Sequence, residues 1–72
     1  MDNKTTKILH LGRKIFMFRK EKGYSQNKLA EMLDISREHL AKIETAKRCI
    51  SLGLLIDIAD TLGVQVKDLI DF

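Results

Sequence analysis

With 72 residues, a net charge of +3, 44% hydrophobic and 32% charged residues, the chain has the composition of one globular domain rather than of a disordered or membrane-spanning protein. So short a chain buries only about 60% of the surface it exposes when unfolded, which argues against a cofactor pocket or a second lobe. No apolar run approaches the roughly 18 residues that cross a bilayer, Met1 to Thr6 lack the apolar stretch of a signal peptide, and the single cysteine, Cys49, excludes an internal disulfide; a cytoplasmic protein is expected.

Proline is absent, alternating strand patterns are hard to find, and apolar spacings of three and four recur throughout, so the chain reads as all helix. Residues 1–6 are expected to form a flexible arm. A first helix is predicted from about Lys7 to Lys22, with Ile8, Leu11, Ile15 and Phe18 on one stripe and Gly23 as its C-terminal stop. Ser25 caps a second helix that turns Leu29, Ala30 and Leu33 inward, and Asp34 and Ile35 make a short turn. Ser36 caps a third, about 36–45, whose inward Leu40 and Ile43 leave Arg37, Glu38, His39, Ala41 and Lys42 for other faces. A basic loop from Thr45 to Ile50 leads to Ser51, the cap of a fourth helix with Leu52, Leu55, Ile58, Ala59 and Leu62 in its stripe and Gly63 at its end. A last helix, about Val66 to Ile70, is predicted to cover the core with Val66 and Leu69, with Phe72 a further candidate.

The charge is uneven. Lysines and arginines crowd the first third and the middle, while the last third sets Asp57, Asp60, Asp68 and Asp71 against Lys67. That asymmetry suits a polyanionic partner, although a solvated charged face is the commoner meaning of such runs. Two short helices joined by a tight turn hold together only when their inner residues lock the crossing angle, and Leu29, Ala30, Leu33, Ile35, Leu40 and Ile43 supply such a set. Ala30 matters most, because only a small side chain there lets the second helix approach the third.

Leu11-Gly12-Arg13-Lys14-Ile15, then Arg19, Tyr24-Ser25-Gln26 with Leu29-Ala30, and later Ile43-Glu44 and Leu62-Gly63-Val64, carry a resemblance to the Cro and lambda-repressor (XRE) helix-turn-helix family over roughly Ile8 to Ile70. The resemblance implies a five-helix lambda-repressor-like DNA-binding domain, the helix-turn-helix at helices 2 and 3. It further implies a homodimer on a palindromic double-stranded operator with helix 3 in the major groove. Asp34 stands where the family often has glycine and can still adopt a left-handed conformation. Thr45-Ala46 replace an asparagine-glycine, and Ile50 replaces a proline, which leaves the loop's shape open and helix 3 free to run one turn longer.

On that reading Arg37, at the start of helix 3, is placed to form a bidentate pair with guanine, worth about 1–3 kcal/mol of discrimination; a phosphate contact is the bland alternative. Lys42, one turn on, reaches a base or a phosphate. Glu38 either accepts from cytosine or merely satisfies the helix dipole, and His39 either approaches DNA or sits at the helix edge. Gln26, Ser25, Ser36, Thr45, Lys47 and Arg48 are candidates for the DNA backbone, the two serines also serving as caps. Arg19 and Glu44 resemble a family pair that holds the reading helix in orientation. Leu54, Ile56, Val64, Ile70 and Phe72 make more apolar surface than a monomer needs, as a dimer face or as the rim of a wide core.

An enzyme lacks its parts here, since no serine, cysteine or carboxylate is spaced as a nucleophile with its base. No cofactor, metal or membrane partner and no small-molecule effector is expected. The rival class is a protein-interaction module, an antitoxin or adaptor on the same fold. An adaptor calls for an apolar or acidic third helix, and the residues here are basic.

Overall fold

The computed structural model describes residues 2–72. The apolar spacings become five helices: α1 Asn3–Glu21, α2 Gln26–Leu33, α3 Arg37–Glu44, α4 Leu52–Leu62 and α5 Val66–Leu69. Ile15, Leu29, Leu40, Ile58, Leu62 and Leu69 are fully buried where these meet, and Ala30 is buried among them as its small side chain predicts. α3 packs on α1 and α2, and α4 closes the core against α1, α2 and α5.

The flexible arm is not found among the described residues: α1 already begins at Asn3, ahead of the predicted Lys7. The Asp2 carboxylate caps it, accepting the Thr5 N–H at 2.7 Å. That bond holds the Asp2 carboxyl below its ordinary value. Asn3 to Thr6 are exposed, and a solvated first turn leaves no apolar periodicity to read. Met1 lies outside the described residues.

α2, α3 and α4 start where the sequence places them, at Ser25, Ser36 and Ser51. Each serine Oγ accepts the backbone N–H three residues on, at 3.0, 3.0 and 3.1 Å. Two apolar assignments need correction. Leu52 is 70% exposed; as the first residue of α4 its side chain leans toward the preceding loop and away from the core stripe. Phe72 is 55% exposed, because α5 stops at Leu69 and the chain leaves helical phase before reaching it.

The first four helices end alike, in a left-handed residue that folds two N–H groups back onto the last carbonyls. Gly23 and Gly63 fill that position after α1 and α4, with φ of 77° and 71°. Asp34 fills it after α2 with φ 58°, as anticipated, and Ala46 after α3 with φ 62°. The Ala46 N–H donates to the Ile43 carbonyl at 3.2 Å and the Lys47 N–H to the Lys42 carbonyl at 2.8 Å. α3 therefore stops at Glu44 and does not run the extra turn. Alanine in this region carries about 1–2 kcal/mol of steric cost that glycine avoids, offset in part by glycine's greater freedom when unfolded. Ala46→Gly is expected to stabilise the domain by about 0.5–1 kcal/mol in urea denaturation; a loss of stability would contradict this termination of α3.

Candidate nucleic-acid interface

α2, the Asp34–Ser36 turn and α3 form the helix-turn-helix. The turn is closed by the Ile35 N–H donating to the Ala30 carbonyl at 3.0 Å. Leu40 and Ile43 anchor α3 in the core, so Arg37, Glu38 and Lys42 are left exposed and His39 half-buried.

Arg19 and Glu44 meet in the interior, their side chains 6% and 3% exposed. Arg19 Nε donates to Glu44 Oε2 at 2.7 Å and its Nη2 to Oε1 at 3.1 Å, a fork-to-fork pair. Nη1 donates to the Tyr24 carbonyl at 2.9 Å, and the Phe16 ring centroid lies 5.2 Å from the guanidinium carbon. Each guanidinium nitrogen and each carboxylate oxygen thus has a hydrogen-bond partner, as charges out of water need, and the pair joins α1, the α1–α2 loop and the end of α3.

Gln26, a candidate for the DNA backbone, extends this network. Its amide nitrogen donates to Glu44 Oε1 at 3.0 Å, and its amide oxygen accepts from Arg37 Nη1 at 3.4 Å. Only this orientation of the amide serves both neighbours, since a carboxylate accepts and a guanidinium donates. A polar chain therefore runs from buried Arg19 through Glu44 and Gln26 to exposed Arg37. The link through Gln26 was not legible in the sequence, for the residues lie far apart along the chain.

Glu38 and Lys42 pair with each other, Nζ to Oε1 3.2 Å, one turn apart on the solvent face. Ser25 and Ser36 use their oxygens as cap acceptors, which leaves each hydroxyl proton free for an anion. Thr45 differs: its hydroxyl donates to the Ala41 carbonyl at 2.8 Å, so its proton is engaged inside α3. Lys47 and Arg48 are exposed in the loop that follows. Of the candidates for a dimer face, Leu54 and Val64 pack half-buried against the core, whereas Ile56, Ile70 and Phe72 are exposed. Leu52, one turn before Ile56 on α4, joins the exposed apolar group.

Sequence reasoning did not separate out Gly12 from its motif. A Cβ there would stand 2.7 Å from each of the Ile43 and Glu44 carbonyl oxygens, so α1 approaches the end of α3 to backbone contact. A lone glycine inside an otherwise helical, apolar stripe was the available signal.

Residues 15–69, which hold all of the helix-turn-helix, match the family model described as Helix-turn-helix. The chain belongs to the Cro/lambda-repressor-like (XRE) family of helix-turn-helix transcriptional regulators. Among curated members of that family, the control protein C.BamHI of Bacillus amyloliquefaciens is 42% identical over 65 residues, covering 89% of this chain and 80% of its own. The immunity repressor protein of Bacillus phage phi105 is 38% identical, with 83% of this chain and 42% of its own length covered. An uncharacterized HTH-type transcriptional regulator of Rickettsia conorii is 42% identical over 78% of this chain, which spans only 45% of that relative. Among solved members, the restriction-modification controller protein C.AhdI of Aeromonas hydrophila superposes with a TM-score of 0.84 at 25% identity, covering 89% of this chain and 97% of its own. SinR, the master regulator for biofilm formation, solved in complex with DNA, gives 0.77 at 35% identity, with 82% and 95% covered.

Proposed function

We propose that this chain is a transcriptional repressor that binds double-stranded DNA sequence-specifically, as a homodimer on a palindromic operator, with α3 in the major groove. The observation that carries the reading is the division of α3 into a buried face, Leu40 and Ile43, and an exposed face bearing Arg37 and Lys42. The similarity to SinR, solved in complex with DNA, supports DNA as the partner, and the similarity to an immunity repressor supports the direction of regulation.

Arg37 is the base reader, bidentate to a guanine, its guanidinium pre-aimed by Gln26. Lys42 must leave Glu38 to contact DNA, and Glu38 is then free to accept from a cytosine or to repel a misplaced phosphate. His39, half-buried at the helix edge, contributes a contact of lower weight. The Ser25 and Ser36 hydroxyls, the Gln26 amide, Lys47 and Arg48 hold the phosphates on either side; Thr45, its proton engaged, serves the loop more than the DNA. The exposed Leu52, Ile56 and Ile70 form the self-complementary face that pairs two copies. Paired in this way, the two reading helices face half-sites about 34 Å apart or a multiple of that. Such a protein acts in the cytoplasm and needs no catalysis.

Selection from a random duplex pool is expected to return a palindrome, and Arg37→Ala to relax one position per half-site at a cost of about 1–3 kcal/mol in discrimination. Lys47→Ala is expected instead to weaken binding across all sequences and to lower the salt slope by about one. Affinity that does not change with salt would reject the DNA reading in favour of a protein-interaction module.

A further inference from the structure

We propose that the groove between the start of α1 and the α3–α4 loop binds a small amphiphilic anion, a carboxylate on an unbranched apolar chain. The groove measures about 610 Å³, within the range of sites that take small organic ligands. Its walls are apolar: Ile8 and Leu11 from α1, Ile43 from the end of α3, Ile50 from the loop, and the exposed Phe72 ring. Three cations line it as well, Lys4, Lys7 and Arg48, and among the described residues no acidic side chain does.

The ion pairs among the described residues join Arg19 to Glu44, Lys42 to Glu38, and His10 and Lys14 to Asp71, and none draws on the cations of the groove. Lys4, Lys7 and Arg48 have no carboxylate partner among the described residues. Lys7 Nζ lies over the Phe72 ring, 5.5 Å from its centroid. The charge alone would suit a phosphate, but a phosphate would leave the apolar walls wet. A purely apolar ligand would cover the walls and ignore the cations. A carboxylate on an alkyl chain satisfies both, which departs from the expectation, based on chain length, that no effector binds. Each methylene that enters the groove is expected to raise affinity by up to about fourfold.

The test titrates hexanoate, octanoate and decanoate, with decylammonium and inorganic phosphate as controls, into the protein below the concentration at which the ligands self-associate. No DNA is present, so the outcome is independent of operator binding. Two-dimensional amide spectra are expected to show saturable shifts at Ile8, Leu11, Ile43 and Ile50, with affinity rising along the carboxylate series. Decylammonium is expected to bind at least tenfold more weakly than decanoate. Lys4→Glu with Lys7→Glu, at an exposed and a half-buried position in the first turns of α1, is expected to weaken decanoate at least tenfold while melting stays cooperative. Equal binding of decanoate and decylammonium, the same shifts from phosphate alone, or a groove filled by a second copy as protein concentration rises would each overturn the proposal.

Discussion

Glu44→Ala is expected to destabilise the domain by about 3–5 kcal/mol in urea denaturation, because it strands the Arg19 guanidinium inside the protein. Arg19 is 5% exposed, and three of its donors are committed, two of them to Glu44. A domain of 72 residues has roughly 4–11 kcal/mol of total stability, so this loss consumes much or all of it. An exposed pair, by contrast, contributes under about 1 kcal/mol, and the choice between the two magnitudes rests on burial. The companion variant Arg19→Met with Glu44→Ala removes both charges and is expected to recover part of the loss, since the penalty lies in the unpaired ion more than in the missing attraction. A Glu44→Ala cost below about 1 kcal/mol would mean that water reaches the pair and that it does not brace α3. Glu44 also holds Gln26, whose amide oxygen accepts from Arg37, so on the base-reading role proposed for Arg37, operator discrimination should fall together with stability in any variant stable enough to assay.

Much of this frame was legible in the sequence because it rests on local rules. Serines at 25, 36 and 51 mark three helix starts, since a short hydroxyl side chain satisfies an unpaired N–H there. Gly23 and Gly63 mark two helix ends for the complementary reason. The Arg19–Glu44 pair came from family resemblance, not from spacing; 25 residues separate the partners, and no local periodicity connects them. The reach of α1 back to Asn3 was hidden because a cap by Asp2 acts on exposed residues. Leu52 and Phe72 are exposed because at an element's end the direction of the side chain, and not its apolar character, decides burial; for Phe72 this removes core cover and leaves the surface role that the sequence also allows. The departures at Thr45-Ala46 and Ile50 leave the end of α3 open in the sequence, and the two hydrogen bonds of the left-handed turn at Ala46 settle it, outweighing alanine's steric cost there. The exposed side chains of α3 were legible by subtraction, as the residues left over once Leu40 and Ile43 turn inward. The Gln26 bridge between Glu44 and Arg37 joins residues far apart along the chain and had no local sequence signal.

Gly12→Ala tests the same end of α3 from the other side. On an open helix surface this substitution would stabilise by about 1 kcal/mol, alanine being the better helix former. Here the added Cβ would meet two carbonyl oxygens at 2.7 Å and the Glu44 carbonyl carbon at 3.0 Å. All three atoms are backbone and cannot rotate aside, so α1 and α3 must separate, at a cost near the upper end of the 1–3 kcal/mol or more typical of overpacking. The clash outweighs the propensity, and a net loss of about 2 kcal/mol is expected in denaturant melts. Gly12 and Arg19 are seven residues apart, two turns on one face of α1, so any shift at Gly12 is passed to the Arg19–Glu44 pair that α1 also carries. Amide shifts in Gly12→Ala should therefore spread to Tyr24, Gln26 and Glu44 before they reach α4. A gain in stability would show that α1 stands further from α3 than this packing has it, and would remove one of the two contacts that fix the reading helix.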